Sequence, residues 1–197
     1  MRFFDVIIGG EQFSFPSATS IIGLARDRGM LVGDEWLTWN EEGMGFGTQI
    51  HKLIAFLLQG AAITKEDWDD FEEPDRQCLR AFKRWWDATG FRPRLVECEL
   101  YSIVLGVVGH PDTIGTIKQH VEIIDWTTGS SNVGKLLQVG SYFLAYREMY
   151  PKRKIYGARI VELDKQTGNF KEEIITKDEL ARLAADFVSI RQRIGAI

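Results

Sequence analysis

The stretch "VEIIDWTTG", from Val121 to Gly129, is a hydrophobic segment that carries one aspartate near its end and stops at a glycine. Its β-branched residues predict a buried strand. Side chains alternate between the two faces of a strand, so Asp125 and Thr127 are expected to point the same way. The stretch therefore raises the question of whether Asp125 belongs to a functional site, and whether Thr127 is the residue that the chemistry of that site would require.

A second aspartate, Asp112, lies on the preceding segment, "GHPDTIGTI". If residues 118–119 form a two-residue turn, Ile117 pairs with His120 and the two segments become neighbouring antiparallel strands. The same register places Asp112 directly opposite Asp125, on one face of the sheet. The Lys-Gln pair in this turn is not the preferred sequence for a tight hairpin, so the register is a hypothesis.

Two carboxylates placed opposite each other repel unless something neutralises them. A shared divalent cation would do so, and carboxylate oxygens suit Mg²⁺ or Mn²⁺. The alternative is structural: one acid pairs with an arginine or lies at the rim of the sheet. Both acids lie in otherwise apolar strands that converge, which favours a site.

Three further residues are candidates for the site because of their order along the chain. His51 shares a helix face with Ile54 and, taken alone, is more typical of a core histidine. Gln138 and Tyr142 are four residues apart, so they share one face of a helix, although helix decoration and a core contact would explain them as well. The succession of a histidine, two aspartates and a Gln-x-x-x-Tyr pair is more informative than any one of them.

The chain has 197 residues, of which 45% are hydrophobic, and it contains no repeat or linker, so we expect one domain over residues 1–197. The order of elements predicts an α/β fold in which helices flank a mixed β-sheet. The expected elements are a hairpin over residues 1–15 around Gly9-Gly10, a helix capped by Ser17 or Thr19, a helix between Gly47 and Gly60, helical structure over 65–88 with a new start at Pro74, strands within 94–100, 103–117 and 120–126, a helix over 132–150, strands over 154–163 and 169–176, and a last helix opened by a capping box of Thr176 and Glu179.

Charge and cysteine content limit the classes of function. The net charge of −4 excludes a generally polycationic surface, so a nucleic-acid function would need a local basic patch. The two cysteines form no C-x-x-C pair, which argues against a zinc ribbon or an iron–sulfur cluster and fits a reducing compartment. No apolar leader or membrane-length run is present, so we expect a soluble cytoplasmic protein. The basic groups that could meet phosphate, each also explained as a solvated face, are Arg80 with Lys83 and Arg84, residues 152–154, and Arg191 with Arg193.

The linear set of motifs resembles the RecB-like branch of the PD-(D/E)XK nuclease superfamily, which includes phage and prophage exonucleases. The resemblance covers most of the chain, from about Phe15 to Leu163. It implies a restriction-endonuclease-like core. The segments that carry it are "FPSATSII" (Phe15–Ile22), "GTQIH" (Gly47–His51), "GHPDTIG" (Gly109–Gly115), "IIDWTTG" (Ile123–Gly129) and "QVGSY" (Gln138–Tyr142).

The resemblance implies a metal-dependent DNA exonuclease that acts in recombination, repair or phage DNA processing, with possible homo-oligomers or a recombination partner protein. Mg²⁺ or Mn²⁺ would be held by His51, Asp112, Asp125 and the backbone carbonyl of Trp126, and would lower the pKa of a bound water. Gln138 and Tyr142 would position the DNA backbone or the attacking water. Glu99, on the preceding strand, is a further candidate for the acidic cluster, with a structural pairing to Arg94 or Lys118 as its alternative.

One departure from the family pattern concerns Thr127, which stands where the family has a lysine. A lysine at this position would orient the water and stabilise charge on the phosphate, and threonine has neither the reach nor the charge. The protein is then a weakened nuclease or an engineered variant, or another lysine substitutes. Lys135, three residues before Gln138, is the nearest candidate; its alternative is a solvated residue at a helix start. The competing functions are a catalytically silent nucleic-acid-binding module of the same fold and a scaffold domain with purely structural acids.

Overall fold

The computed structural model describes residues 1–31 and 41–195. In chain order the elements are β1 (Phe3–Ile8), β2 (Glu11–Pro16), α1 (Ala18–Asp27), α2 (Glu41–Leu58), α3 (Lys65–Asp70), α4 (Glu73–Thr89), β3 (Arg92–Val96), β4 (Leu100–Ser102), β5 (Val107–Gly109), β6 (Thr113–Ile117), β7 (His120–Thr127), α5 (Val133–Met149), β8 (Gly157–Leu163), β9 (Phe170–Thr176) and α6 (Lys177–Ile194).

A five-stranded sheet in the order β3-β6-β7-β8-β9 forms the centre of the fold. The β7–β8 pair is parallel and the other three pairs are antiparallel, so the sheet is mixed. Helices α5 and α6 pack on one face, and α2 and α4 pack on the other. The α/β fold with helices on both faces of a mixed sheet, which the order of elements predicts, is therefore confirmed.

Strand β7 lies in the middle of this sheet and is covered on both faces. Its side chains alternate, so that Ile123 packs among the residues of α5 and α6, whereas Ile124 and Trp126 pack against α2 and α4. Burial on both faces explains why the segment is almost continuously apolar. It also places Asp125 on the side of α5, at the carboxyl end of the strand.

The two-residue turn between β6 and β7 is confirmed. Ile117 pairs with His120, and both turn residues have positive φ, 47° at Lys118 and 73° at Gln119, as a tight hairpin of this kind requires. The register is the predicted one, but the paired region starts at Thr113. The direct backbone pairing of the two aspartates is therefore wrong by one residue: Asp112 precedes β6, because its carbonyl accepts a hydrogen bond from the N–H of Glu97 instead.

Other boundaries differ from the sequence expectation for identifiable reasons. Helix α2 begins at Glu41, six residues before the predicted start, because its first half contains three glycines that weaken a helical pattern. The strand-like run over residues 103–117 is divided into β5 and β6, and the run over 94–100 into β3 and β4. The caps at Ser17 and Thr176, the N-terminal hairpin and the helix start at Pro74 are confirmed.

Within the ranges that the structure describes, none of the helices has the length and apolar character needed to cross a bilayer.

Candidate active site

Four predicted site residues meet where the carboxyl end of β7 approaches the first turn of α5 and the middle of α2. They are Asp125 on β7, Asp112 just before β6, His51 on α2 and Lys135 on α5. The first turn of α5 is fixed by Asn132, whose side chain accepts a hydrogen bond from the Lys135 N–H at 3.1 Å. The site is therefore built from separate parts of the chain around a rigid central strand.

Asp112 is held by two hydrogen bonds, one to each carboxylate oxygen. Nδ1 of His51 lies 2.8 Å from Oδ1, and the backbone N–H of Trp126 donates to Oδ2 at 2.7 Å. Burial by itself would raise the pKa of Asp112, but the charge and hydrogen bond of His51 outweigh it and hold the pKa below its usual range. The Asp112 side chain thus reaches across to β7 and lies near Asp125, although the two residues are not paired in the sheet.

Asp125 forms a buried ion pair with Lys135. The Lys135 Nζ donates to Oδ2 of Asp125 at 2.5 Å and to the Trp126 carbonyl oxygen at 3.2 Å. Only 2% of Asp125 is exposed, and burial raises its pKa despite the nearby ammonium. Burial opposes the charge on Lys135, yet the carboxylates of Asp125 and then Asp112 raise the pKa of its ammonium group. Lys135 is therefore a charged group inside the site, rather than a solvated residue at a helix start.

The backbone of Trp126 is anchored by its own side chain. The indole packs edge-on against Trp85, with ring centroids 4.9 Å apart, and against Phe82 at 5.3 Å. This contact lies on the opposite face of the sheet from Asp125. It fixes the position of the Trp126 carbonyl, which is the predicted backbone ligand for a metal.

Thr127 uses its hydroxyl locally. Oγ1 donates to the carbonyl of Gly129 at 2.9 Å and lies 3.3 Å from the Gly129 N–H, an arrangement that closes the turn after β7. The side chain thus stabilises the exit of the strand and supplies no charge to the site.

Gln138 and Tyr142 follow Lys135 along the same helix. Gln138 donates to the hydroxyl of Thr19 at 3.0 Å, which ties α5 to the start of α1. Burial, together with the negative charges of Asp125 and Asp112, raises the pKa of Tyr142. The sequence left a core contact and a role in the site as alternatives for Tyr142. The structure shows both, because the side chain is buried and lies near the two aspartates.

Gly109 leaves room for the edge of the Tyr142 ring against the β5 backbone. A methyl group at this position would lie 2.5 Å from Cδ1 of Tyr142. We expect Gly109→Ala to lower the free energy of unfolding by about 1–3 kcal/mol, as overpacking does. Urea unfolding measures this change. Gly129→Ala is the control, because its added methyl group meets no atom within 4 Å. Equal stability of the two variants would contradict the close ring packing.

Glu97 is a further acid that interacts with the charges of the cluster. Glu99 lies 3.4 Å from Nε2 of His110 and pairs with neither Arg94 nor Lys118. Glu97 donates its N–H to the Asp112 carbonyl at 2.9 Å, and partial burial followed by the charge of Asp112 raises its pKa. Its backbone has a φ of 49°, which is rare for a residue with a side chain. Extending the β3–β6 pairing would have identified Glu97, but a bulge in β3 hides that register from the sequence.

Three of the basic groups that the sequence offers for phosphate binding are engaged in local structure. Arg80 pairs with Glu73 at 2.8 Å, and Lys83 pairs with Asp87 at 2.5 Å. Arg84 donates to the Gly168 carbonyl at 3.0 Å. These contacts fit the structural alternative for the helical cluster.

The oxygen atoms of the site suit a hard divalent cation. In residues 1–31 and 41–195, no group of three or more His, Cys, Asp or Glu side chains has a geometry that would hold a metal ion. The donors that converge are two carboxylates and the Trp126 carbonyl, with His51 bound to Asp112. The Lys135 ammonium already contacts both Asp125 and the Trp126 carbonyl, so these two oxygens can share one cation. Such a set fits Mg²⁺ or Mn²⁺.

The His51–Asp112 pair predicts a pH dependence in the metal-free protein. Burial disfavours the imidazolium, but Asp112 outweighs it and raises the pKa of His51, with Lys135 opposing and Asp125 adding to the effect. A raised pKa contributes stability that is complete below the unfolded value of about 6.5 and is lost as pH rises through the folded value. NMR titration of the imidazole should show the raised pKa. In Asp112→Asn the pKa should fall; an unchanged value there would contradict the pairing.

Most of the chain matches a described protein family. The sequence profile described as the PD-(D/E)XK nuclease superfamily matches residues 40–196. No curated protein matches the chain at a significant level. Among solved structures, the crystal structure of SSO0001 is similar, with 14% sequence identity, coverage of 59% of this chain and 58% of that chain, and a TM-score of 0.33. The chain thus aligns with a little over half the length of that protein.

Proposed function

We propose that this chain, which belongs to the PD-(D/E)XK nuclease superfamily, is a Mg²⁺- or Mn²⁺-dependent DNA exonuclease. The finer assignment places it in the RecB-like branch, acting on DNA ends in recombination, repair or phage DNA processing in the cytoplasm. The motif order from Phe15 to Tyr142 supports that branch.

The observation that carries the proposal is the position of Lys135. Its ammonium lies 2.5 Å from Asp125 Oδ2, on the helix that follows the strand, in the site that the family lysine would reach from position 127. We therefore infer that the catalytic lysine is supplied by α5 instead of β7. With it the site would combine carboxylates for a metal ion with an ammonium group that can stabilise phosphate charge.

Each residue then has a distinct role. Asp112, Asp125, the Trp126 carbonyl and His51 would hold Mg²⁺ or Mn²⁺, which supplies an activated water and neutralises phosphate charge when bound. Lys135 orients the nucleophile and stabilises charge on the phosphate oxygens. Gln138 and Tyr142 would position the DNA backbone or the attacking water.

The presence of threonine at position 127, where the family has a lysine, favours the second candidate. This candidate is a nucleic-acid-binding module that does not cut. Its hydroxyl is committed to the turn at Gly129, so position 127 itself contributes no catalytic charge. In this second candidate Lys135 only neutralises Asp125. The two candidates predict opposite results for cleavage and the same result for DNA binding.

A cleavage assay with end-labelled linear DNA and closed circular DNA tests the proposal. We expect Mg²⁺ or Mn²⁺ to support shortening of single- or double-stranded linear DNA from its ends, and EDTA to abolish it, because the hard cation supplies the activated water. Closed circles should persist, which separates an exonuclease from an endonuclease. Metal-dependent binding of linear DNA without any cleavage would support the silent module instead. Cutting that continues in EDTA would contradict the metal site.

A further inference from the structure

A group of exposed basic and aromatic residues lies at the opposite end of β7 from the candidate active site. We call it the distal patch and define it by Lys118, His120, Lys152, Lys154 and Tyr156. All five are exposed. Lys118 belongs to the β6–β7 turn, and Lys152 and Lys154 belong to the loop between α5 and β8. The N–H of Tyr156 donates to the Val121 carbonyl at 2.8 Å, which joins the two segments side by side.

The centre of the distal patch is a pair of stacked rings. His120 and Tyr156 lie with centroids 4.6 Å apart and an interplanar angle of 16°, and 46% of Tyr156 is exposed. His120 begins β7 and Tyr156 directly precedes β8, and the tight turn and the backbone hydrogen bond to Val121 hold them in place. A near-parallel pair of exposed rings offers a flat surface on which a further planar ring can stack.

The cations around this stack lack acidic partners. In the part of the chain that the structure describes, Lys118, Lys152 and Lys154 form no ion pair, whereas Arg80 and Lys83 on α4 pair with acids. The protein as a whole carries a net charge of −4. The distal patch therefore concentrates uncompensated positive charge on an otherwise acidic molecule, which attracts a polyanion locally.

We propose that the distal patch binds single-stranded nucleic acid, with a base stacked on Tyr156 and phosphates held by Lys118, Lys152 and Lys154. Stacking rings flanked by cations are the combination that recognises a single strand without sequence preference. His120 and Asp125 are five residues apart on β7, so the distal patch lies about 17 Å along the strand from the site. The inference rests on the proposed nuclease function for its ligand: the patch holds the substrate strand at a distance from the reaction.

Neither the helix dipole nor an acidic polypeptide ligand accounts for the whole distal patch. The lysines of the α5–β8 loop follow the carboxyl end of α5, where cations interact favourably with the helix dipole, but the dipole explains neither Lys118 nor the ring stack. An acidic polypeptide would satisfy the lysines and would gain little from stacking on Tyr156. The rings therefore favour nucleic acid.

Binding of a fluorescent oligothymidine of about 16 nucleotides, measured in EDTA with the full chain, tests the inference. The triple variant Lys118→Ala/Lys152→Ala/Lys154→Ala should lose affinity by about 10- to 100-fold at about 0.1 M salt, and its logarithmic salt slope should fall by about 2. The matched control Lys65→Ala/Lys171→Ala/Lys177→Ala removes the same charge from exposed lysines elsewhere on the surface and should retain both the affinity and the salt slope. Unfolding curves verify that each variant is folded.

Stacking is tested separately from charge. Tyr156→Ala should weaken binding by about 5- to 150-fold with an unchanged salt slope, whereas Tyr156→Phe should bind normally. Equal losses of affinity in the two triple lysine variants would overturn the inference. It would also be overturned if polyglutamate competed as strongly as unlabelled oligothymidine and Tyr156→Ala bound normally. The assay contains no metal, so it separates this inference from the nuclease proposal. If the distal patch binds DNA but the chain never cuts it, only the proposed nuclease function is contradicted. If the chain cuts DNA and the patch variants bind oligothymidine normally, only the proposed role of the distal patch is contradicted.

Discussion

Replacing Lys135 with methionine will lower the single-turnover rate of DNA cleavage by about 10²–10³-fold, the loss typical of removing one electrostatic stabiliser of a transition state. Methionine keeps much of the apolar stem and removes the ammonium that lies 2.5 Å from Asp125. Metal binding should persist, because the oxygen ligands remain. The measurement uses linear DNA under saturating Mg²⁺, with calorimetry to verify that Mg²⁺ still binds.

A second lysine should rescue this variant. Position 127 lies on the same face of β7 as Asp125, so Thr127→Lys introduced into Lys135→Met brings an ammonium back into the site from the strand. Recovery will be partial, because the new side chain loses the hydroxyl that closes the turn at Gly129, at a cost of about 1 kcal/mol. Lys52→Met, which removes an exposed lysine beside His51, is the control and should cut at the normal rate.

Full activity in Lys135→Met would show that the ammonium merely neutralises Asp125. An inactive original chain that begins to cut when Thr127→Lys is introduced alone would support the silent binding module. The pair of substitutions thus separates the two candidate functions by the location of the lysine, on the helix or on the strand.

The sequence predicted most of the fold because its signals are local and mutually consistent. The capping residues Ser17 and Thr176, and Pro74, each mark a helix start through the backbone within a few residues. The start of α2 was missed because glycines weaken a helical pattern. The division of the run over 103–117 was missed because residues around Asp112 have strand-like neighbours on both sides.

The site was predictable where a strand register controls it and unpredictable where a side chain crosses between elements. The register places Asp112 near Asp125, and the alternation of β7 places Thr127 beside it. Whether the Lys135 ammonium can contact Asp125 depends on the position and direction of α5 after the loop. This is a tertiary property that helix periodicity does not predict. Glu97 was missed for a related reason: a bulge and a left-handed backbone conformation bring it to the Asp112 carbonyl.

Replacing Asp125 with asparagine will lower the rate of cleavage by more than the loss of about 10²–10³-fold expected for Lys135→Met. The same substitution will not destabilise the metal-free protein. The substitution removes a carboxylate from the metal site and leaves a neutral side chain of the same shape. Burial raises the pKa of Asp125, so its ionisation opposes folding at neutral pH. A neutral replacement removes that opposition, and the Lys135 ammonium keeps Asp112 as its counter-charge. Urea unfolding in EDTA should therefore give Asp125→Asn a free energy of unfolding no lower than that of the original chain.

Mg²⁺ should reverse this order of stability. An ion that binds only the folded state adds about 2.7 kcal/mol at about 100 times its dissociation constant, and only the chain that retains both carboxylates can gain it. The original chain should therefore gain stability with increasing Mg²⁺, while Asp125→Asn stays constant. Equal gains in the two proteins would place the ion elsewhere. A loss of stability in EDTA would instead make the Asp125–Lys135 ion pair a structural element, since removing one partner of a favourable buried pair leaves the other charge uncompensated.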